Sequence, residues 1–306
     1  METPSTIVSD EFQRLRQTLA EGAQRLFPAG VETPQLDAEV ILSHVLAMTR
    51  EQLLVSQDLP LSAEQIRQYR ELLSRRLTRE PVAYITGRQE FWSLDFHVMA
   101  DVLIPRPETE RLIEISLALT GELPQTESLQ VLDIGTGSGA IAVSLAKELP
   151  SAMIWATDVS FAALKVARRN AARNGVTARV QFFHGDLFEA VSEFAGRFDL
   201  IVLNPPYIRS AEIDALEPEV SLWEPRGALD GGADGLDFYR RIARQARDYL
   251  TPNGAVAVEV GADMGKEVGR LFTAAGRYTG VAIFQDYAGR DRVVVARLAG
   301  KRADSV

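Results

Sequence analysis

The chain has 306 residues, 46% of them hydrophobic, and carries a formal net charge of -9 at pH 7. Because it contains no cysteine, the composition excludes disulfides, thiolate metal sites and cysteine nucleophiles. The acidic balance disfavours a protein that grips nucleic-acid phosphates with its whole surface. The sequence has no run of about 18 apolar residues that would suit a membrane span and no signal-peptide pattern. We therefore expect a soluble cytoplasmic protein, and we assign no metal site to its three scattered histidines.

Residues 1–80 predict a small all-helical domain. Apolar side chains recur at steps of three and four residues, and the first such stripe is Phe12, Leu15, Leu19, Ala23 and Leu26. Thr33-Pro34 predicts the start of a second helix, and Ser62 predicts the N-cap of a third. The third helix is rich in arginine, which is typical of a solvated face or of a docking surface for an acidic or nucleic-acid-bearing partner. These arginines are Arg67, Arg70, Arg75, Arg76 and Arg79.

Residues 81–106 are interpreted as a β-hairpin linker. Apolar and polar residues alternate on both sides of Ser93, as in a hairpin. The following segment, residues 103–110, is stiffened by two prolines and leads into a helix. This segment is either a plain connector or one that closes over a site, and in the second case Arg106 and Glu110 are candidate substrate-binding residues.

Residues 107–306 predict a doubly wound α/β domain, because short apolar strands alternate with helical segments. The predicted strands are 131–134, 152–156, 180–183, 198–203, 255–260, 281–284 and 293–297.

A glycine-rich loop joins the first of these strands to its helix. Glycines permit a tight turn and close approach of a ligand to the backbone, and the helix start offers free N–H groups. The pattern also fits G-x-G-x-x-G/A, so the loop alone does not separate NAD from S-adenosylmethionine. The candidate cofactor-binding residues of the loop are Gly135, Thr136, Gly137, Ser138 and Gly139.

Acidic residues follow the second and third strands. Asp158 can accept both hydroxyls of a ribose, or it can serve as a helix cap together with Ser160. Asp186 can accept from an adenine amino group while Leu187 packs on the ring, or it can be a cap or surface acid.

The sequence Asn204-Pro205-Pro206-Tyr207 follows the fourth strand, where the prolines end ladder pairing. The motif can be a simple turn, but the Asn204 carboxamide, the Pro205 carbonyl and the Tyr207 ring can also hold a planar –NH2 group. Since the first and fourth strands flank the switch point of such a sheet, the glycine loop and this motif would face one crevice. No His or Tyr-x-x-x-Lys arrangement follows this strand, so methyl transfer is favoured over nicotinamide chemistry.

Together these motifs resemble those of the peptide chain release factor glutamine-N5 methyltransferases, over about residues 34–298. The matching stretches are 79–87, 90–92, 103–110, 133–139, 204–208 and 228–232. The resemblance implies a Rossmann-like class I methyltransferase that uses S-adenosylmethionine and methylates the glutamine of the Gly-Gly-Gln motif of release factors. It also implies that the helical domain helps to dock the factor. The donor would be held by the glycine loop, Asp158, Leu187 and Asn204, and the glutamine by residues 204–207.

Two other functions share much of this pattern: a nucleic-acid adenine-N6 methyltransferase and a non-catalytic ribosome-associated binding module. Residues 208–226 carry five acidic residues and only two arginines, which argues against a nucleic-acid substrate. We expect a monomer with no membrane partner.

Overall fold

Helices make up most of the first of two units into which the chain divides. A computed structural model describes residues 13–122 and 128–298, and Phe12 of the predicted first stripe lies outside them. This unit contains the described residues up to Gly87 together with Pro218–Trp223. Its elements before residue 88 are β1 (Gln13–Arg14), α1 (Leu15–Leu26), α2 (Pro34–Leu46), α3 (Arg50–Val55), β2 (Pro60–Leu61), α4 (Ala63–Leu77) and α5 (Val82–Thr86).

The helix starts follow from local sequence. Pro34 occupies the first turn of α2, where its missing N–H costs nothing. Ser62 opens α4 with a capping box, in which its hydroxyl accepts from Gln65 N and the Gln65 side chain accepts from Ser62 N. The apolar faces of α1, α2 and α4 then enclose one core. The short helices α3 and α5 were not predicted, and α5 lies inside the segment interpreted as a linker.

Arg76 of α4 is buried, which neither interpretation of the arginine-rich helix anticipated. Its Nε donates to Asp37 Oδ2 and its Nη2 to Glu219 Oε1, both at 2.6 Å. Arg79 donates to both oxygens of the same Glu219 carboxylate, at 2.7 and 2.6 Å. Arg76, and Arg79 just beyond the end of α4, therefore make internal contacts that hold residues 218–223 within the first unit.

The second unit contains Arg88–Glu217 and the described residues from Glu224 onward. Up to residue 203 its elements are β3 (Arg88–Phe91), β4 (Leu94–His97), α6 (Glu110–Glu122), β5 (Gln130–Ile134), α7 (Ala140–Glu148), β6 (Met153–Asp158), α8 (Phe161–Arg173), β7 (Val180–His184) and β8 (Phe198–Leu203). The chain next forms α9 (Pro218–Ser221) of the first unit. It then completes the second with α10 (Asp237–Gln245), β9 (Leu250–Glu259), α11 (Gly265–Ala274), β10 (Tyr278–Gln285) and β11 (Asp291–Leu298).

Seven of these strands form one sheet in the order β10-β11-β9-β8-β5-β6-β7. The five strands from β9 to β7 are parallel, while β11 is antiparallel to both of its neighbours. The predicted doubly wound, Rossmann-like α/β fold is thus confirmed. Ile134 of β5 aligns with Leu203 of β8 on one side and Thr157 of β6 on the other. The carboxyl ends of these three strands therefore meet at the switch point, where open α/β sheets bind ligands.

The hairpin expected around Ser93 is present as β3 and β4. Trp92 and Ser93 both have left-handed backbones, with φ of 53° and 55°, as a two-residue type I′ turn requires. Asn170 of α8 fixes the second strand, because its side chain accepts from His97 N and donates to His97 O. The function of residues 81–106 as a linker, like the predicted domain limits, stays a prediction.

In residues 13–122 and 128–298, no helix has both the length and the apolar character needed to cross a bilayer.

Candidate active site

A cavity of about 220 Å³ lies at the carboxyl edge of the sheet. Four consecutive strand ends contribute to it: the loop after β5, the end of β6, the loop after β7 and the residues after β8. From these strand ends, the predicted site residues that line it are Gly135, Gly137, Asp158, Asp186, Leu187, Asn204, Pro205 and Pro206. The sheet thus brings predicted cofactor residues and predicted substrate residues to one cavity, although Gly135 and Asn204 are far apart in sequence.

The glycine loop after β5 presents bare backbone toward open space. Gly135 and Gly137 have φ of 71° and 55°, and a Cβ built on either meets no atom within 4 Å. Gly139 differs, because a Cβ there would lie 3.1 Å from Ala167 Cβ, so this glycine lets α7 and α8 approach. The first two glycines form a cradle that side chains would fill, which fits a ligand seated on the loop.

Thr136 and Ser138, both predicted to bind cofactor, have hydrogen-bond partners on β5 and α8. Thr136 Oγ1 donates to Asp133 Oδ2 at 2.6 Å, and Ser138 O accepts from Asn170 Nδ2 at 2.8 Å. Asp133 is fully buried, and burial raises its pKa to about 7. Its Oδ1 has no hydrogen-bond partner in the described part of the chain. The loop is therefore held from below by a buried carboxyl, and binding of cofactor by Thr136, Ser138 and Gly139 stays a prediction.

Asp158 at the end of β6 links two walls of the cavity. Its Oδ2 accepts from Gly137 N and its Oδ1 from Ser160 N, each at 2.8 Å. Burial raises the pKa of Asp158, and these backbone hydrogen bonds oppose that rise. Each carboxylate oxygen can accept a second hydrogen bond, so the loop contacts and the predicted ribose contact are compatible. The alternative prediction, a helix cap shared with Ser160, does not exclude the ribose contact either. The Ser160 hydroxyl itself caps α8 by accepting from Ala163 N.

Asp186 and Leu187 line the far wall of the cavity, after β7. Arg241 Nη2 donates to Asp186 Oδ2 at 2.5 Å, so this carboxylate has a cationic partner. Leu187 is buried with a left-handed backbone, φ 50°, a conformation that is rare for a leucine. Their predicted adenine contacts remain predictions, but both residues lie in the cavity.

Asn204 stands at the end of β8, beside the glycine loop. Its Nδ2 donates to Thr109 Oγ1 at 3.1 Å. The segment after Asn204 is held by residues 228–232, since Gly231 N donates to Ile208 O at 2.8 Å. A Cβ on Gly231 would lie 2.7 Å from Tyr207 Cα, so only glycine permits this approach. Two of the stretches that carry the family resemblance, 204–208 and 228–232, are therefore packed against each other.

Tyr207 packs against the hydrophobic core behind the cavity. Its ring lies near Gly261, and burial raises the pKa of its hydroxyl to about 12. It stays neutral at physiological pH, which suits a packing or stacking group better than a proton acceptor. Its predicted contact with substrate stays a prediction.

Arg106 and Glu110 have partners within the second unit. The Arg106 guanidinium donates to the buried Glu224, which also accepts from Ile104 N at 3.3 Å. Glu110 Oε1 accepts from Trp92 N at 2.8 Å and so holds the hairpin turn. Both side chains shape residues 103–110, and Leu103 of that stretch lines the cavity. Their direct contact with substrate remains a prediction.

Sequence reasoning missed Glu259 and Thr109. Glu259, at the end of β9, is 1% exposed, and burial raises its pKa to about 7. The neighbouring side chains of Thr109 and Asn204, together with the charge of Arg292, oppose that rise. A glutamate within the apolar run Ala255–Val260 was the available signal, because a buried strand rarely carries a charge without a partner.

The arrangement combines a bare backbone cradle with polar acceptors at a neighbouring strand end. The cradle and Asp158 fit a ligand that carries hydroxyl groups, and Asn204 fits an amide or amine. Among the described residues, no group of three or more His, Asp or Glu side chains could hold a metal ion. Such a cavity can bind the donor of a transferable chemical group next to a planar nitrogen that accepts it.

Two sequence-family models match the chain. The PrmC N-terminal domain matches residues 17–87, and the methyltransferase small domain matches residues 111–217. Each match falls within one of the two units of the structure. The second match confirms the methyltransferase that the motifs predicted.

Curated relatives are similar over nearly the whole chain. The release factor glutamine methyltransferase of Geobacter sulfurreducens is 45% identical over 94% of this chain and 98% of its own. That of Moorella thermoacetica is 44% identical over 92% and 98%. Among solved structures, the hMettl16 catalytic domain in complex with MAT2A 3′UTR hairpin 6 is 17% identical, with a TM-score of 0.55 over 75% of this chain and 83% of its own. That structural likeness supports the fold alone. From the sequence matches, the chain belongs to the release factor glutamine methyltransferase family.

Proposed function

We propose that this protein transfers a methyl group from S-adenosylmethionine to the side-chain nitrogen, N5, of the glutamine in the Gly-Gly-Gln motif of peptide chain release factors. The observation that carries the proposal is the position of Asn204-Pro205-Pro206 beside the glycine cradle in one cavity. Membership of the family supports the substrate class, and its relatives named above are release factor glutamine methyltransferases.

The residues around the cradle fit S-adenosylmethionine. Backbone of Gly135 and Gly137 leaves room for the donor, Asp158 would accept its ribose hydroxyls, and Asp186 and Leu187 would contact its adenine. When bound there, the donor supplies an activated methyl group on a sulfonium.

The protein must orient a poor nucleophile, since the lone pair of an amide nitrogen is delocalised. Asn204 Oδ1 and the Pro205 carbonyl would each accept one hydrogen of the glutamine amide. These two acceptors fix the nitrogen in the plane needed for attack and stabilise the positive charge that develops on it. No strong base is required at this stage, because the electron pair of the broken carbon–sulfur bond would stay on the donor's sulfur and the amide proton would pass to water after the carbon–nitrogen bond forms.

The test is a methylation assay with labelled donor and three acceptors: a release factor, the same factor with its Gly-Gly-Gln glutamine changed to alanine, and duplex DNA. We expect one methyl group per factor, mapped to that glutamine by mass spectrometry, and no label in the other two acceptors. Label on DNA adenine, or equal label on the alanine variant, would refute the assignment. Donor binding without any product would instead indicate a non-catalytic binding module.

A further inference from the structure

Two side chains behind the cavity contact the amide of Asn204. Thr109 is the last residue of the turn Pro107–Thr109 before α6, and Glu259 ends β9, so they reach Asn204 from two other elements. Asn204 Nδ2 donates to Thr109 Oγ1 at 3.1 Å. The buried carboxylate of Glu259 lies next to the side chains of Thr109 and Asn204, which favour its ionised form. The three side chains thus form a connected polar chain that is closed off from solvent on the side of Glu259.

We propose that Thr109 and Glu259 are positioning residues that fix the Asn204 amide with its Oδ1 toward the substrate nitrogen. This inference rests on the proposed function, because it concerns how the same cavity holds the glutamine amide.

The polarity of the chain follows from its last member. An ionised carboxylate only accepts hydrogen bonds, so the Thr109 hydroxyl must donate its single hydrogen to Glu259. The Thr109 oxygen is then left to accept, and only the –NH2 group of Asn204 can donate to it. If the Asn204 amide were flipped, its Oδ1 would face the carboxylate. Neither the Thr109 oxygen nor the Glu259 carboxylate would then receive a hydrogen from Asn204. The charge on Glu259 therefore specifies which end of the Asn204 amide is left for substrate.

Other charged and polar groups also surround Glu259. Burial and the charge of Glu108 favour the neutral form of its carboxyl group, whereas the positive charge of Arg292 on β11 favours the ionised form. The Tyr207 hydroxyl is also near, since the charge of Glu259 contributes to the raised pKa of Tyr207. Tyr239 donates to the main-chain oxygen of Glu259 at 2.9 Å, which fixes the end of the strand.

A purely structural role explains Glu259 poorly. Its Oε2 has no hydrogen-bond partner in the part of the chain that the structure describes. Burying a carboxylate in this state costs free energy that an apolar residue in the same strand would not. An orienting role for Asn204 accounts for an acid at this position.

The experiment compares Thr109→Val, Thr109→Ser and Glu259→Gln with wild type, using a release factor as substrate. For Thr109→Val we expect kcat to fall about 100-fold, the cost of a misplaced reacting group, with the Kd for S-adenosylmethionine unchanged. Thr109→Ser keeps the hydroxyl and should restore kcat to near the wild-type value. Glu259→Gln can present either end of its amide to Thr109, so its kcat should lie between those of wild type and Thr109→Val.

The pH profile separates orientation from simple packing. In wild type, kcat should fall as the pH drops through the range in which Glu259 takes up a proton, because the neutral acid can donate and permits the flipped amide. Glu259→Gln should lose this acidic limb. Wild-type kcat in Thr109→Val, failure of Thr109→Ser to restore activity, or an unchanged limb in Glu259→Gln would each overturn the inference. If Thr109→Val does not fold, the Glu259→Gln profile decides. A wild-type enzyme that leaves glutamine unmodified would instead refute the proposed function.

Discussion

The main-chain N–H of Gly137 donates to Asp158 Oδ2 at 2.8 Å, and this bond ties the loop after β5 to the end of β6. The same carboxylate accepts from Ser160 N through its other oxygen, also at 2.8 Å. Asp158 thereby sets the spacing of two walls of the cavity before any ligand binds. Pre-organisation of this kind lowers the entropic cost of seating a donor.

Asp158→Ala is expected to weaken donor binding. The variant removes the predicted acceptor of the ribose hydroxyls and releases Gly137, and a hydrogen bond to a charged group contributes roughly 1.5–3 kcal/mol. The Kd for S-adenosylmethionine, measured by isothermal titration calorimetry, should therefore rise about 10- to 100-fold. Asp263→Ala, at an exposed carboxylate whose nearest cation is 3.7 Å away, is the matched control. Equal Kd values for the two variants would remove Asp158 from the donor site.

Asn204→Ala should lose methyl transfer while keeping the fold. Removal of one pre-organised polar contact to a developing charge typically costs about 100- to 1,000-fold in kcat, or roughly 2.7–4 kcal/mol. Single-turnover rates with a release factor measure this directly, and a thermal melt checks folding. Asn253→Gly removes an exposed asparagine with φ of 67° and should leave kcat unchanged. Turnover by Asn204→Ala at the wild-type rate would exclude Asn204 from catalysis.

Most of the sheet could be predicted because its signals are local. Buried parallel strands are continuous apolar runs, and Phe198–Leu203 was predicted with the limits that the structure has. The helix start at Pro34 and the cap at Ser62 likewise depend on neighbouring residues. By contrast, α5 was missed, because Val82–Thr86 is rich in β-branched residues and too short to show helical periodicity.

The contacts that shape the candidate site are long-range, and single-sequence patterns do not contain them. Thr109 and Asn204 are 95 positions apart, and Glu259 comes from a third element. Arg76 shows the same limit, since it resembled its exposed neighbours on α4 until tertiary structure brought Asp37 and Glu219 to it. Residue type and strand position indicated where ligands bind, whereas the partner of each side chain depended on the fold.

Stability should decrease as the pH rises toward 7 and above. Burial raises the pKa of Glu259 from 4.5 to about 7, and that of Asp133 from 3.8 to about 7. Between these values the folded chain binds more protons than the unfolded chain, so the free energy of unfolding falls with pH. The stabilisation is complete below about pH 4 and is lost as the pH rises through 7.

Glu259→Gln should remove the part of this pH-dependent loss of stability that Glu259 causes. The variant is neutral at every pH, so its free energy of unfolding should exceed that of wild type by roughly 3 kcal/mol at pH 8 but by less than about 1 kcal/mol at pH 5. Urea denaturation at the two pH values measures the difference. Glu71→Gln, at an exposed position on α4, is the control and should follow wild type at both. A wild-type stability that does not change between pH 5 and 8 would contradict the prediction.

Arg76 and Arg70, two arginines of α4, should differ sharply in their contribution to stability. Arg76 is 5% exposed and joins Asp37 to Glu219, whereas Arg70 is exposed and lies 3.7 Å from Glu21. Removing one partner of a buried ion pair leaves an uncompensated charge and costs about 3–5 kcal/mol, but an exposed pair contributes about 0–1 kcal/mol. Arg76→Ala should therefore lower the urea midpoint strongly, and Arg70→Ala should lower it little. Asp37→Ala removes the other end of the same network, so its effect and that of Arg76→Ala should be non-additive in the double variant. Additive effects, or equal midpoints for the two arginine variants, would show that the buried pair contributes no more than a surface one.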